Sequence, residues 1–253
     1  MSDKILTVGK LCKSYGPIKV LKDVSLSIGR GEAHVVIGPN GAGKTTLFKC
    51  LSGEALPNSG TVILDNDDVT RETGWQRTRR GIGRTFQVAR IYPELTAHEN
   101  LVVAVEARHR FDPPKTRTRF SLFPNALVMA EVDELVGEMG LSNVASRTAK
   151  ILSHGDKKRL ELAMSLALRP RLLMLDEPTA GMSPSDRKQA VVFVSRIRKE
   201  HGLSLLLTEH DMDVVFGLAT ELTVLHHGEV IASGEPSAVR AEPKVREVYL
   251  GHG

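Results

Sequence analysis

The sequence predicts an α/β fold, in which a parallel β-sheet carries helices on its faces. The largely apolar stretches 171–175 and 203–207 have the length of short buried strands, and the helical stretch 185–200 separates them. A third apolar run, 34–37, leads through a glycine-rich loop into a helical pattern at 45–51. Strands that alternate with helices in this way are typical of parallel sheets.

Length and composition favour a folded, non-membrane chain. The 253 residues, 41% of them hydrophobic, are enough for one elaborated domain or two subdomains. The longest apolar runs, such as 101–105 and 172–175, are far shorter than the ~20 residues that a membrane helix needs. Two cysteines and a polar start favour a reducing cytosol. The net charge of +4 requires no particular partner.

Other segments predict two additions to the parallel core. Residues 24–28 alternate between apolar and polar, as a half-buried strand does, and 29–32 form a turn, so the N-terminal part is expected to be β-rich. Apolar residues return every three or four positions from about 126 to 140, which predicts a helix. The stretch 108–125 between them, rich in proline and basic residues, is expected to form a surface loop.

The most specific motif is the glycine-rich loop after the strand at 34–37. It reads Gly38-Pro39-Asn40-Gly41-Ala42-Gly43-Lys44-Thr45 and fits the P-loop pattern G-x-x-x-x-G-K-[ST] without a mismatch. Its glycines let backbone N–H groups surround a phosphate, and Lys44 brings a positive charge to it. Thr45 offers a hydroxyl to Mg²⁺, and Thr46 lies in the first turn of the following helix. A simple glycine-rich turn is the alternative, which the flanking strand and helix disfavour.

A second motif is an apolar strand that ends in two carboxylates, Asp176 and Glu177. At the carboxyl end of a strand beside the P-loop, Asp176 is expected to hold Mg²⁺, directly or through water. Glu177 is then placed to polarise the water that attacks the γ-phosphate. The alternative is that both residues only cap the turn before Pro178. Together with the P-loop, the pair predicts a nucleoside triphosphatase.

The segment Leu152-Ser153-His154-Gly155-Asp156 resembles the Leu-Ser-Gly-Gly-Gln signature of ABC ATPases, and it precedes a helix about twenty residues before the carboxylate pair. In that family the signature contacts the γ-phosphate of ATP held by the partner subunit, which implies this role for Ser153 and Gly155. His154 replaces a glycine and Asp156 a glutamine. The alternative is a helix-capping pair, Ser153 and Asp156.

Further residues resemble the same family in the same order. Tyr15 matches the aromatic residue that stacks on adenine, although it is also compatible with a core aromatic residue. Gln87 matches the glutamine that reaches Mg²⁺ and the attacking water, and 180–184 matches the loop that crosses the dimer interface. His210 matches the histidine that contacts the γ-phosphate, although a histidine at a strand end is often structural. The resemblance covers nearly the whole chain.

Two groups of residues receive no function. Trp75 lies near five arginines, and the acidic and small residues between them indicate a solvated face rather than a nucleic-acid site. The five are Arg71, Arg77, Arg79, Arg80 and Arg84. His226 and His227 stand before Gly228 in an expected hairpin turn and lack the spacing of a metal site.

A narrower resemblance concerns ATP-binding subunits of branched-chain or hydrophobic amino-acid importers, with urea and amide importers as the alternative. The segments that carry it are 81–87, the insert after Asn100-Leu101, 159–163, Glu209-His210-Asp211-Met212 and Val248-Tyr249-Leu250-Gly251. The resemblance implies one ABC ATPase domain over 1–253. Residues 1–87 would form the β subdomain and P-loop core, 88–165 a mainly helical subdomain, and 166–253 the rest of the core with a C-terminal hairpin and helix.

The resemblance also implies partners and a mechanism. Two ATPase subunits, identical or paralogous, would enclose two Mg-ATP molecules on the cytoplasmic face of the bacterial inner membrane. They would drive two membrane permease subunits and serve a periplasmic binding protein indirectly, with no nucleic acid involved. Two rival classes are a non-transport ABC protein that acts on nucleic acid or ribosomes and a regulatory ATP-binding module without turnover. The single P-loop, the lack of a heptad run and the intact Glu177 disfavour them.

Overall fold

The computed structural model describes residues 3–85, 91–111 and 126–250. It divides into two compact units. Unit 1 comprises the described parts of 1–84 and 171–253, and unit 2 those of 85–170. The chain therefore leaves the first unit after Arg84 and returns to it at Arg171, close to the helical insertion expected at 88–165.

All strands of the described residues lie in unit 1. They are β1 (Lys4–Tyr15), β2 (Ile18–Gly29), β3 (Ala33–Ile37), β4 (Ser59–Leu64), β5 (Asp67–Asp68), β6 (Ile82–Arg84), β7 (Leu172–Asp176), β8 (Ser204–Thr208), β9 (Glu221–His226) and β10 (Glu229–Gly234). The four-stranded sheet has the order β2-β1-β4-β5, and its neighbouring strands are antiparallel. The β-rich N-terminal part expected from the alternating pattern at 24–28 is thus confirmed.

The helices of unit 1 are α1 (Lys44–Ser52), α2 (Gly74–Arg79), α6 (Pro184–Glu200), α7 (Met212–Leu218), α8 (Pro236–Ala241) and α9 (Pro243–Val245), followed by a π-helical segment at Arg246–Leu250. Those of unit 2 are α3 (Ala97–Phe111), α4 (Ala126–Glu138) and α5 (His154–Ala167), with 3₁₀ turns at Ser142–Val144 and Ala149–Ile151. In the parts of the chain that the structure describes, each helix is too short or too polar to cross a bilayer.

The six-stranded sheet forms the core of unit 1. Its order is β10-β9-β3-β8-β7-β6, and β9, β3, β8, β7 and β6 run parallel. Every residue of β3, β7 and β8 is buried, as expected for strands covered on both faces. Val36 and Asp176 both pair with Thr208 of β8. The carboxyl ends of β3, β8 and β7 therefore meet at one edge of the sheet.

Helices α3, α4 and α5 of unit 2 pack on one another around a common apolar core. Leu101 and Val105 of α3, Val132 of α4, and Leu160 and Ala163 of α5 are at most 1% exposed. The helix expected at about 126–140 is confirmed as α4. The surface loop expected at 108–125 is wrong in its first four residues, because 108–111 complete α3; residues 112–125 lie outside the described part.

The reason for that helical extension lies in buried polar contacts of Arg108. Its guanidinium donates to Glu131 Oε1 at 2.5 Å, and to Ala167 O, a carbonyl of the last residue of α5, at 2.9 Å. His109, the next residue, is 7% exposed and accepts a hydrogen bond from Arg108. These bonds join α3 to α4 and α5, so Arg108 and His109, which fall at the start of the expected loop, instead lie within the helical unit.

The solvated face expected for the arginine cluster is also wrong for two of its members. Arg77 is completely buried, and the side chain of Arg84 is 8% exposed. Arg77 donates to the carbonyl oxygens of Cys50, Leu51, Thr70 and Glu72 at 2.7 to 3.2 Å. Because the last turn of a helix has carbonyls without helical partners, a guanidinium there satisfies them and offsets the negative end of the α1 dipole.

Replacing Arg77 by methionine should therefore destabilise unit 1. The aliphatic stem is kept, but four buried carbonyls lose a charged donor, and we expect a loss of about 2 to 4 kcal/mol in the free energy of unfolding. The exposed Arg79 on the same helix provides the matched control, and Arg79→Met should cost less than about 0.5 kcal/mol. Denaturant unfolding of both variants measures the difference. Equal stability of the two variants would contradict the assigned role of Arg77.

Candidate functional site

The P-loop connects β3 to α1, as the sequence predicts. The loop occupies 38–43, and α1 begins at Lys44 with Gly43 as its N-cap at φ 107°. No side chain caps this helix end, and its first turn contains no acidic residue. The free backbone N–H groups and the positive end of the helix dipole are therefore available to an anion.

Close packing explains the two outer glycines of the loop. A Cβ atom on Gly38 would lie 2.2 Å from the carbonyl oxygen of Leu225, and one on Gly43 would lie 3.0 Å from that of Val20. The turn between β9 and β10, expected at the two histidines, is present at 227–228. Its Gly228 N–H donates to the carbonyl oxygen of Ala42 at 3.0 Å. The β9–β10 hairpin thus packs against the P-loop and supports it.

Lys44 lies between the P-loop and the carboxylates. Its ammonium donates to the carbonyl oxygens of Gly38 at 2.6 Å and Pro39 at 3.2 Å. Burial lowers the pKa of Lys44 from its ordinary value, and the charges of Glu177 and Asp176 oppose that shift. The cation is therefore held over the phosphate-binding loop within the field of both acids.

Asp176 is the last residue of β7 and is 9% exposed. Its Oδ1 accepts a hydrogen bond from the Thr208 hydroxyl at 2.8 Å, and its Oδ2 lies 3.5 Å from Nη2 of Arg84. Arg84 also pairs with Glu54 at 2.8 Å. The carboxylate is thus fixed by neighbours on both sides of β7, at the edge of the sheet where the P-loop begins.

Glu177 has a left-handed backbone, with φ 47°. For a residue other than glycine this conformation costs of order 1 to 3 kcal/mol, and such strain is often stored at functional sites. Its N–H donates to both the carbonyl oxygen and the hydroxyl of Thr208, at 3.2 and 3.0 Å. His210 Nδ1 lies 4.0 Å from Glu177 Oε1, and the imidazole is largely exposed. The sheet therefore brings Lys44, Asp176, Glu177 and His210 to one place.

Tyr15 ends β1 and is 48% exposed, so the interpretation as a core aromatic residue is wrong. The ammonium of Lys13 lies 5.1 Å from the centre of the ring. An exposed aromatic ring is available for stacking on a flat ligand.

The signature-like segment opens α5 in unit 2. Ser153 is the N-cap residue; its hydroxyl oxygen accepts from the Asp156 N–H at 3.1 Å, and the hydroxyl donates to Asp156 Oδ2 at 2.7 Å. Ser153 and His154 are exposed, and Gly155 is half-buried. The capping pair expected as the alternative is therefore present, on an exposed helix end. Gln87, the remaining predicted site residue, lies outside the described residues.

Sequence reasoning missed Thr208, Glu209 and Arg84 as neighbours of the site. Thr208 and Glu209 are fully buried, and their side chains bond to the segment that carries Asp176 and Glu177. The available signal was two adjacent polar residues at the end of the largely apolar run 203–207. For Arg84, no pattern in the sequence distinguishes it from the exposed arginines nearby.

A family model described as "ABC transporter" matches residues 21–180, well over half of the chain. The chain belongs to the ABC transporter family. As an ABC ATPase it binds ATP and hydrolyses it as a transporter subunit, which confirms the family and the enzymatic activity expected from the motifs. A second model, described as "Branched-chain amino acid ATP-binding cassette transporter", matches residues 229–253.

Two relatives of this ABC ATPase are similar to it over nearly their whole lengths. The high-affinity branched-chain amino acid transport ATP-binding protein BraF of Pseudomonas aeruginosa is 36% identical, with 99% of each chain covered. The lipopolysaccharide export system ATP-binding protein LptB of Haemophilus influenzae is 34% identical, with 98% of this chain and 97% of LptB covered.

A solved structure supports the same fold. The ADP conformation of an ATP-binding cassette of an ABC transporter is 28% identical and superimposes with a TM-score of 0.84, covering 99% of this chain and 100% of that chain. The predicted fold class, an α/β P-loop core with an antiparallel β part and an inserted helical part, is confirmed.

Proposed function

We propose that this ABC ATPase is the motor subunit of an importer for branched-chain or other hydrophobic amino acids. The observation that carries the substrate class is the match of residues 229–253 to the branched-chain model, a segment that begins with β10. The similarity to BraF over 99% of both chains supports it. The catalytic motifs alone do not indicate the substrate class, because the same motifs would hydrolyse ATP whichever substrate is transported.

In the proposed site, the P-loop binds the phosphates of ATP. The residues that surround them are Gly38, Pro39, Asn40, Gly41, Ala42, Gly43, Lys44, Thr45 and Thr46. All of these except Pro39 have a backbone N–H group, and the uncapped N-terminus of α1 adds its positive dipole end. Lys44 exchanges its bonds to the Gly38 and Pro39 carbonyl oxygens for bonds to phosphate. Tyr15 stacks on the adenine ring. Gly38 and Gly43, which cannot accept a Cβ, let the loop pack closely against the residues beneath it and so hold this conformation.

The residues at the sheet edge fit Mg²⁺, a hard cation that prefers oxygen donors. Asp176 has a carboxylate fixed by Thr208, and Thr45 is an exposed hydroxyl in the first turn of α1. Asp176 and Thr45 would hold the ion, together with Gln87. The ion would neutralise phosphate charge.

For hydrolysis, Glu177 accepts a hydrogen bond from the attacking water and aligns it with the γ-phosphorus. The new P–O bond forms as the bond to the ADP oxygen breaks, and the proton leaves the water toward Glu177. His210 contacts the γ-phosphate and stabilises the charge that develops there. The separation of 4.0 Å between His210 Nδ1 and Glu177 Oε1 supports their action on one group.

The proposed assembly contains a second ATPase subunit, either a copy or a paralogue. Ser153 and Gly155 at the exposed start of α5 then contact the γ-phosphate of the ATP bound to that partner. The pair drives two transmembrane permease subunits at the cytoplasmic face of the inner membrane, and a periplasmic binding protein delivers the substrate. Lipopolysaccharide export is a second candidate, favoured by the similarity to LptB; urea or amide import is a further alternative.

Reconstitution tests the proposal. The chain is co-expressed with the membrane proteins encoded beside its gene, purified with them and placed in proteoliposomes that contain ATP and Mg²⁺, with the periplasmic binding protein supplied outside. We expect ATP-dependent uptake of radiolabelled leucine and no uptake with Glu177→Gln. Competition by excess isoleucine and valine, but not by urea, would support the substrate class. Uptake of urea alone, or extraction of lipopolysaccharide without leucine uptake, would contradict it.

A further inference from the structure

A network of buried hydrogen bonds lies behind the proposed catalytic residues of unit 1. It joins the end of β8 to the segment that follows β7. Thr208 donates to Asp176 and accepts from the N–H of Glu177, so its hydroxyl is shared by the two acids. The bond between the Glu177 N–H and the Thr208 hydroxyl fixes the backbone at Glu177. Neither of these two hydroxyl bonds involves the loop that follows Glu177.

Glu209 extends the network to that loop. Its Oε1 accepts from the N–H of Thr179 at 3.2 Å and from the Thr179 hydroxyl at 2.6 Å. Its Oε2 accepts from the N–H of His210 at 3.2 Å. One carboxylate therefore binds the loop after Glu177 with one oxygen and the first amide of the histidine loop with the other.

The side chains of Glu209 and Thr179 are both buried. Glu209 is 0% exposed and Thr179 is 4% exposed, so neither bond exchanges readily with water. Among the described residues no lysine, arginine or histidine forms a salt bridge with Glu209. A buried carboxylate without a cation is costly unless its hydrogen bonds are satisfied. Three donors point at it, and a glutamine in its place would turn an N–H toward one of them.

We propose that Glu209 is a positioning residue for ATP hydrolysis, which locks the Thr179 loop to the His210 loop and so maintains the spacing between the Glu177 carboxylate and the His210 imidazole. The proposal rests on the roles given above to Glu177 and His210. It assigns Glu209 no contact with ATP: both side-chain oxygens are used within the protein. Nucleotide binding, which depends on the P-loop, is separate from it.

Thr179→Val is the sharpest test, because it removes only the hydroxyl donor and keeps the shape of the side chain. Glu209→Gln is the second variant, and Thr179→Ser retains the hydroxyl. Thr223→Val is the matched control, since Thr223 is also fully buried in the six-stranded sheet and also uses its hydroxyl, toward His34 and Ser233. Each full-length variant is measured for kcat, KM for ATP, affinity for a fluorescent ATP analogue and melting temperature.

We expect Thr179→Val and Glu209→Gln to lower kcat at least tenfold, while KM and analogue affinity stay within about threefold of wild type. Thr179→Ser should restore kcat to within about threefold, and Thr223→Val should lower the melting temperature without this loss of kcat. If Thr179→Val matches Thr223→Val in kcat, or if the loss appears in KM, the positioning role is overturned. A wild-type chain that does not hydrolyse ATP would instead contradict the proposed function itself.

Discussion

Replacing Glu177 by glutamine should lower the rate of ATP hydrolysis by about 10² to 10⁴, the usual contribution of a general base. Glutamine keeps the size of the side chain and its hydrogen-bonding reach but has no basicity. The left-handed backbone and its bonds to Thr208 do not depend on the carboxylate, so the fold should remain. ATP should still bind, because the P-loop and Lys44 are unchanged.

The same variant should accumulate as an ATP-stabilised dimer, because the proposed clamp opens only after hydrolysis. Light scattering with and without ATP, beside a phosphate-release assay, measures both effects. Glu200→Gln, an exposed glutamate at the end of α6, is the control and should remain active. Wild-type turnover in Glu177→Gln would show that the catalytic role is wrong. If the variant is inactive but monomeric, the catalytic role of Glu177 remains supported, and pairing of two identical subunits is contradicted. A paralogous ATPase subunit would then be the expected partner.

Asp176→Asn is a second variant, and its expected defect differs from that of Glu177→Gln. Asp176 lies beside Arg84 and bonds to Thr208, with its carboxylate at the sheet edge where we place Mg²⁺. Loss of one negative charge there should weaken the binding of Mg-ATP, whereas Glu177→Gln should affect mainly the chemical step. A titration with the ATP analogue in Mg²⁺ and in EDTA distinguishes them: the difference between the two conditions should shrink in Asp176→Asn alone.

Replacing Lys44 by alanine should reduce kcat by roughly 10² to 10³, as the loss of one donor to a developing anion does, and also weaken ATP binding. Its ammonium lies over the P-loop, where the Gly38 and Pro39 carbonyl oxygens hold it. Because Lys44 is only half-buried, water can replace its ammonium at these two carbonyl oxygens, and the fold should remain intact. The expected result is a folded chain with almost no turnover.

Lys49→Ala supplies the matched control for this result, since Lys49 is an exposed lysine in the last turn of the same helix. Both variants should melt within a few degrees of wild type. Phosphate release and binding of the fluorescent analogue should be lost in Lys44→Ala and kept in Lys49→Ala. Equal activity in the two variants would refute the assignment of the phosphate site.

The motifs of the candidate site were readable from the sequence because each depends on neighbours along the chain. A strand, six loop residues and a helix start make the P-loop by themselves, so 34–51 predicts its own geometry. The carboxylate pair is similar: an apolar run that ends in Asp176 and Glu177 indicates a strand end. That these two segments lie together was predictable only because parallel strands place their carboxyl ends at one edge.

The arginines show where local reasoning fails. Arg77, Arg79 and Arg84 occur within eight residues and read alike in sequence, yet Arg79 is exposed while Arg77 and Arg84 are buried. The difference comes from distant acceptors: the carbonyls that end α1 for Arg77, and Asp176 with Glu54 for Arg84. Arg108 was assigned to a surface loop for the same reason. Its partner Glu131 comes after the segment 112–125 in the chain, so no local pattern indicates the pair.

By itself the sequence determined that this chain is an ATP-hydrolysing cassette, since phosphate binding and water activation use short motifs with fixed local geometry. Tertiary structure decided how those motifs are supported. Thr208 and Glu209 became part of the site only because β8 pairs with β7, which brings their side chains to residues about thirty positions earlier. Hydrogen bonds act over about 3 Å, whereas a sequence pattern records only neighbours along the chain. Positioning contacts between strands can therefore be identified only from the tertiary structure, in which the strands of the sheet are paired.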